Sequence, residues 1–459
     1  MDLFGTAGIR GDVRERVTPS LALRVGRAAA REAADEPVDD EPVEFVVGRD
    51  GRETGDALAS AVTAGLQAGG ARVVRVGRVP SPALAFAAQG RRGVMVTASH
   101  NPPSDNGLKL FHDGEEYDDD AERRIERAVA AEERPVDWAS WGAAERADTL
   151  PAYRRAVTEY ASGHGAPLDG LRIAADAGNG MAARAVPGVL RELGATVVTL
   201  NGSVDGHFPG RESKPTPESL ADLRAFLADG AFAFGLGHDG DADRVVVVDA
   251  DGEVVHEDTV LAILAGHYVR ASDAADPVVV TTPNASARID ERVAEAGGRV
   301  ERVRLGALHE GVAAARRDGV AETEVVFAAE PWKHIHTGLG PWIDGVASAA
   351  VLARLVADSG LEALREPVAE RPYRKISVQC PDDRKAAVMT ALETALPAEF
   401  PEAAVDTEHG VRLELGEGWV LVRPSGTEPY VRVYAEHDDV DTVVERTVGV
   451  VEATVADAG

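Results

Sequence analysis

Residues 43–76 read VEFVVGRDGRETGDALASAVTAGLQAGGARVVRV, and this stretch decides the fold. A Val-rich run leads into the polar turn Arg49-Asp50-Gly51-Arg52. A helical spacing of small apolar residues follows, then Gly69-Gly70, then a second Val-rich run. That order is a β-α-β unit, in which a glycine taking the left-handed conformation stops the helix. The pattern recurs as LRIAADAGNGMAARAVPGVLRELGATVVTL at 171–200, with Gly194 as the stop. It recurs again as PVVVTTPNASARIDERVAEAGGRVERV at 277–303, with Gly297-Gly298. Three such units predict an α/β fold of three similar domains with parallel strand pairs.

Some fifty to sixty residues into each unit, a further apolar strand runs into a polar loop. These are GVMVTASHNP from Gly93, FAFGLGHDGDADR from Phe232 and VVFAAEPWKH from Val325. Ligands of open α/β sheets gather beyond the carboxyl ends of strands, so each domain is expected to carry one functional loop. The tail differs. RKISVQC, a helical stretch from Asp382 to Leu396, short strands, the loop RPSGTEP and a closing helix near Val440 to Val455 read as a small α+β domain. The expected domains are 1–145, 150–253, 254–366 and 370–459.

Composition narrows the partners. The 459 residues hold 77 Asp and Glu against 48 Lys and Arg, a formal charge of −29. Neutralising a nucleic-acid backbone or an anionic membrane needs a basic face that this balance hardly supplies, so neither is expected as a partner. Only five of the cationic residues are Lys (Lys109, Lys214, Lys333, Lys375, Lys385), leaving 43 Arg. A carboxylate-rich, lysine-poor surface fits adaptation to concentrated salt and a halophilic archaeal source; a GC-rich genome would also raise Arg. Cys380 is the single cysteine, which excludes an intrachain disulfide framework. No basic leader and no run of 18 apolar residues is present, so a cytoplasmic protein is expected, as a monomer or small homo-oligomer.

The loops carry the chemistry. In Asp239-Gly-Asp241-Ala-Asp243-Arg244, alternate carboxylates separated by small residues converge on one hard cation, which suits Mg²⁺. An EF-hand would need Gly and Glu where Arg244 and Ala250 stand. Gly235, Gly237 and Gly240 match a dinucleotide fingerprint, but a strand follows rather than a helix. In Thr97-Ala-Ser99-His100-Asn101-Pro102, a serine on a tight turn at a strand end is a nucleophile or phosphate carrier. A Ser-His hydrolase does not fit, because adjacent residues seldom place a hydroxyl against the next imidazole, and no Gly-x-Ser-x-Gly elbow exists. Arg423-Pro-Ser425-Gly426-Thr427, with Arg432 beyond, offers a guanidinium, two hydroxyls and backbone N–H groups to a phosphate monoester. Lys109 and Lys333 fall in or beside these loops in a chain that nearly excludes Lys.

FGTAGIRG from Phe4, TASHNP, DGDADR and RPSGTEP, in this order, closely resemble the α-D-phosphohexomutase family of phosphoglucomutases, phosphomannomutases and phosphoglucosamine mutases. The resemblance spans Phe4 to about Val433. It implies three similar α/β domains and a fourth like the TATA-binding-protein fold around a central cleft. It implies Ser99 as the phosphoryl carrier and a metal ligand, with Asp239, Asp241 and Asp243 holding one Mg²⁺. Arg10, His100 and Lys109 match the basic residues around the phosphoserine, and Arg244 follows the metal loop. Arg423, Ser425, Gly426 and Thr427 match the loop for the non-reacting phosphate. Glu330 and His334 match the sugar-hydroxyl loop. The implied reaction interconverts a sugar 1-phosphate and 6-phosphate through a bisphosphorylated intermediate, with a sugar bisphosphate as activator. Positioning and charge neutralisation dominate such transfers. Lys109 and His334 both stand as candidates for exchanging the hydroxyl proton.

One loop departs from the family. Relatives usually read Gly-Glu-x-Ser-Gly-His, whereas this chain reads Ala329-Glu330-Pro331-Trp332-Lys333-His334. Trp332 either stacks on a sugar, fills the room of a missing substituent or packs the loop, and Lys333 adds a cation for phosphate. A small phosphosugar is therefore the expected partner. Phosphoglucomutase/phosphomannomutase is the leading activity, and phosphoglucosamine mutase or phosphopentomutase the alternatives. A phosphosugar-binding paralogue with impaired turnover is the reading from another class.

Overall fold

The computed structural model describes residues 3–5, 8–34, 43–131, 134–416, 418–425 and 428–458. It divides into two compact units: Met1–Leu264 with Val325–Arg365, and Ala265–Glu324 with Glu366–Gly459.

In the first unit, residues 43–76 fold as read. Strand Glu44–Arg49, helix Gly55–Ala68 and strand Arg72–Arg78 form a β-α-β unit whose strands pair in parallel. Gly70 takes φ of 97° after the helix, a conformation that costs glycine little. Strand Arg92–Val96 adds in parallel, and Asp105–His112 and Ile9–Asp12 continue the sheet antiparallel. Phe45, Val47, Val94 and Val96 lie in an apolar core shared with the helices Pro19–Ala34 and Gly55–Ala68. Those helices meet through glycine. A Cβ on Gly65 would lie 2.1 Å from Leu23 O, and one on Gly26 2.3 Å from Val62 O.

The second repeat gives strands Arg172–Asp176 and Thr196–Leu200, again parallel, with Gly194 at φ of 111°. Strand Phe234–His238 pairs parallel to the first of these and antiparallel to Val245–Val248, so the aspartate loop bridges two strands at the sheet's end. A hairpin of Thr323–Glu330 and Lys333–Ile335 carries Trp332 at its turn, ahead of helix Gly345–Ser359.

In the second unit, strands Asp276–Thr281 and Arg299–Arg302 pair in parallel about helix Ala287–Glu295, with Gly297 at φ of 93°. A five-stranded antiparallel sheet with helices Lys385–Glu399 and Val440–Asp457 forms the tail. The first of these helices begins three residues later than expected, because Pro381 leads into a turn over 382–384. Buried Arg288 meets Glu436 Oε1 at 3.2 Å, and Trp419 Nε1 donates to the other oxygen at 3.1 Å, tying both segments of this unit together. Among the described residues no helix is long and apolar enough to cross a membrane.

Candidate functional site

Ser99 sits where strand Arg92–Val96 ends, fully buried and held at φ of 49°. Such a conformation is unfavourable for a residue with a Cβ, and surrounding bonds must hold it. Its N–H donates to Thr97 Oγ1 at 2.9 Å. Below the loop lies a buried ion pair that the sequence had shown only as a basic turn. Arg52 Nε meets Asp50 Oδ2 at 3.1 Å, and the guanidinium donates to Ser99 O at 2.8 Å, Asn101 O at 2.7 Å and Asp105 O at 2.9 Å. Asp50 also accepts from Thr97 Oγ1 at 2.7 Å. The serine loop is thus gripped through its carbonyls, which no local pattern reveals.

The serine hydroxyl donates to Asp239 Oδ2 at 2.6 Å, and, against the expectation for adjacent residues, His100 Nδ1 lies 3.3 Å from Ser99 Oγ. Asp239, Asp241 and Asp243 are all buried, with carboxylate atoms within 4.8 Å of one another. Lys109 Nζ reaches Asp243 Oδ2 at 2.9 Å, Asp241 Oδ2 at 3.5 Å and Glu116 Oε1 at 3.5 Å. Burial pulls this ammonium's pKa down, yet the three carboxylates outweigh it and the net shift is upward. Ser81, at a helix start, donates to Asp241 Oδ2 at 2.6 Å, a second contact missed in the sequence because 160 positions separate the pair.

These carboxylates fit a metal ion. Burial and the charges of Asp243 and Asp241 push Asp239 well above the usual carboxylate range. Asp241 Oδ1 and Asp243 Oδ1 are buried with no hydrogen-bond partner. Orphaned oxygens in a cluster of like charge are the donor set that a hard divalent cation takes.

Cations stand near the serine and the aspartates. Burial first, then Arg244 and Arg10, with a smaller effect of Lys333, lower His100 to about 2, so its ring is neutral. Arg244 lies 3.9 Å from Asp239 and 3.8 Å from Asp243. Lys333 pairs with Glu330 at 3.2 Å, both largely buried, and its charge helps to keep Asp243 ionised against the cost of burial. Arg10, His100, Lys109, Arg244, Glu330 and Lys333 therefore belong to one neighbourhood with Ser99 and the three aspartates.

Two residues of the sugar loop turn elsewhere. Trp332 takes φ of 69° and packs on the apolar cluster of Leu220, Leu223, Phe232 and Val246, while its carbonyl accepts from Val245 N at 3.2 Å. His334 is 1% exposed, and burial alone lowers it to about 3, with no charged group acting on it. Successive residues of a strand face opposite sides, so His334 turns away from the side of Lys333. Its Nδ1 and His336 Nε2 both contact Ser348 Oγ, at 2.9 Å and 2.8 Å. His334 Nε2 is buried with no hydrogen-bond partner, so the ring's bonding runs to Ser348 and not to Ser99 or the aspartates.

In the second unit, Arg423 and Arg432 face each other across adjacent strands. Arg423 Nη2 donates to Tyr434 Oη at 2.9 Å, and Arg432 pairs with Glu428. Ser425 is buried, and its carbonyl accepts from Lys385 Nζ at 2.6 Å. Gly426 and Thr427 lie outside the described residues. Lys385 was legible only as another of the five lysines.

Comparison with known proteins follows the same architecture. The family description "Phosphoglucomutase/phosphomannomutase, alpha/beta/alpha domain I" matches residues 1–135, domain II matches 151–252 and the C-terminal domain matches 376–453. A phosphopentomutase of Thermococcus kodakarensis is 39% identical over 448 residues, covering 95% of this chain and 94% of that one. A probable phosphoglucosamine mutase of Methanopyrus kandleri is 41% identical over 443 residues, covering 94% and 93%. Among solved structures, a phosphoglucomutase/phosphomannomutase family protein of Burkholderia thailandensis superposes with a TM-score of 0.85 at 26% identity, covering 98% and 97%.

Proposed function

Because this chain belongs to the phosphoglucomutase/phosphomannomutase family, we propose that it is a phosphosugar mutase working through a phosphoserine on Ser99. Membership makes it an enzyme of the isomerase and phosphotransferase class. The observation that carries the mechanism is the Ser99 hydroxyl 2.6 Å from Asp239 inside a buried three-aspartate cluster.

In the first half-reaction the Ser99 Oγ–P bond breaks as a sugar hydroxyl oxygen bonds to phosphorus, and the proton lost by that hydroxyl is balanced by one gained at Ser99 Oγ. In the second, the other phosphoryl group of the bisphosphorylated sugar passes to Ser99 Oγ and the isomeric monophosphate leaves. Asp239, Asp241 and Asp243 would hold one Mg²⁺ per chain, which when bound neutralises phosphoryl oxygens. Lys109 and Arg10 supply fixed positive charge where charge develops on the transferring group. Lys109 is held protonated by its carboxylates, so it serves as a donor, while His100, whose burial and cationic neighbours make it a poor proton acceptor, meets Ser99 Oγ as a neutral hydrogen-bond partner. Arg423, Ser425 and Arg432, with Gly426 and Thr427, would take the substrate's other phosphate. A sugar bisphosphate would prime Ser99. The division at 1–145, 150–253, 254–366 and 370–459 gives each loop its own domain.

The leading substrate reading remains hexose phosphate, as for phosphoglucomutase/phosphomannomutase. A pentose or glucosamine phosphate is the second reading, favoured by one observation. The Glu330–Lys333 ion pair fills a loop where the family carries a small hydroxyl and glycine. The names of the two archaeal relatives support the same direction. A coupled assay with Mg²⁺ over glucose, mannose, glucosamine and ribose 1-phosphates, each with its bisphosphate, decides. A single preferred sugar identifies the activity, whereas binding without turnover of any of them would leave the paralogue reading in its place.

A further inference from the structure

Between strand Thr196–Leu200 and helix Ala221–Ala228 lies a segment that no sequence motif singled out. Its residues 201–213 reach both halves of the site. Gly206 packs so closely on the Arg52 turn that a Cβ there would lie 2.6 Å from Gly51 O and 2.7 Å from Arg52 Cα. Phe208 follows at φ of 52°, buried in spite of that unfavourable conformation. Its ring stacks under the Arg52 guanidinium, 5.1 Å from centroid to Cζ. The same ring touches the aspartate loop, where a Cβ on Gly240 would lie 3.3 Å from Phe208 Cζ and 2.6 Å from Ser99 O. Arg211 donates to His238 O at 2.6 Å, and Ser213 Oγ donates to Asn101 O at 3.0 Å.

One segment therefore touches the serine loop, the arginine that grips that loop, and the residues on either side of Asp239. None of its side chains bonds to a reacting group. Resting on the phosphoserine reading, we propose that Phe208 and Ser213 are positioning residues that set Ser99 Oγ against Asp239, with the Phe208 ring as the wedge between the two loops. The physical reason is geometric. Transfer needs the phosphoryl group aligned with both donor and acceptor oxygens, and a drift of about 1 Å costs on the order of a hundredfold in rate. Arg52, Asp50 and Thr97 hold the serine loop from its own side, Ser81 and Lys109 tie Asp241 and Asp243, and the Phe208 segment touches Arg52 together with both neighbours of Asp239.

Phe208→Leu keeps apolar bulk and removes the ring face, Phe208→Tyr keeps the face, and Ser213→Ala deletes one hydroxyl. The full-length chain with Mg²⁺ is mixed with glucose 1,6-bisphosphate or ribose 1,5-bisphosphate, whichever phosphorylates the wild type, and Ser99 phosphorylation is followed by intact mass. Steady-state kcat and KM are measured alongside. Phe208→Leu is expected to slow phosphorylation and kcat about 30-fold with KM within about twofold, and Phe208→Tyr to recover to within about threefold. Ser213→Ala is expected to slow the same step by about threefold or more, and it decides alone if Phe208→Leu loses cooperative unfolding. Wild-type rates in the folded variants, or a loss confined to KM, overturn the proposal. Ser99→Ala separates the two readings. An active Ser99→Ala sinks the phosphoserine mechanism, while an inert one beside fast Phe208→Leu and Ser213→Ala sinks the positioning role only.

Discussion

Lys109→Met separates the lysine's part in stability from its part in catalysis, because the two are expected to move in opposite directions with Mg²⁺. The ammonium is buried against Asp243 at 2.9 Å and against Asp241 and Glu116 at 3.5 Å. Methionine fills the stem and leaves the carboxylates facing one another. Removing one partner of a buried ion pair costs about 3–5 kcal/mol. Proton uptake by the crowded carboxylates returns part of this, so we expect a loss of about 2–3 kcal/mol at pH 7.5 in EDTA. A divalent cation then meets no competing ammonium. Mg²⁺ should bind about tenfold more tightly, ~1.4 kcal/mol, and at a hundredfold excess over its Kd restore about 2.7 kcal/mol. Turnover should meanwhile fall by about 10²–10³, because a fixed charge at the transferring group is gone. Thermal melts of both proteins across a MgCl₂ titration read the first two effects, and the mutase assay reads the third. A variant as stable as wild type in EDTA, or one whose Mg²⁺ affinity falls, would refute this electrostatic account.

Three further outcomes follow from buried groups. His334 is held neutral in the folded chain with a pKa lowered from 6.5 to about 3, so the unfolded chain binds a proton first as pH falls. The stability tied to this group is present above pH 6.5 and lost as pH drops toward 3; between pH 7.5 and 5.5 the loss is about 1.4 kcal/mol, and urea midpoints for His334→Asn should show a pH dependence smaller by that amount. Asp344 caps helix Gly345–Ser359 through Val346 and Ala347 N–H and accepts from Tyr153 Oη at 2.8 Å and Trp342 Nε1 at 3.0 Å. Asp344→Ala should cost about 3 kcal/mol or more by urea unfolding, the sum of a lost cap and two buried donors left unpaired. Glu436→Ala removes the carboxylate partner of buried Arg288 and of Trp419 Nε1 in the second unit, and should cost about 3–5 kcal/mol in the same measurement.

Local chemistry was legible in the sequence wherever it had a period or a stop signal. The Val-rich runs gave the parallel strand pairs, and Gly70, Gly194 and Gly297 adopt the left-handed φ that ends each helix. The serine and aspartate loops stand at strand ends, where the alternation of strand and polar turn had put them. What stayed hidden depends on contacts between distant positions. Arg52 reads as a surface turn until its guanidinium is seen on the carbonyls of residues 99, 101 and 105. Ser81 on Asp241 and Phe208 on Arg52 have no local signature at all. Trp332 and His334 show the other limit. A positive φ at Trp332 sends the indole into the neighbouring core, and strand alternation turns His334 away from Lys333. The alternation was there to be read; the φ was not.

The central claim is that Ser99 carries the phosphoryl group beside the aspartate cluster. Intact mass and peptide mapping of the purified chain, before and after incubation with sugar bisphosphate and Mg²⁺, test it most directly. The account predicts one added phosphate, mapped to Ser99, and a Ser99→Ala variant that takes up none and interconverts no sugar phosphate. Phosphate mapped to another residue, or mutase turnover persisting in Ser99→Ala, would contradict it.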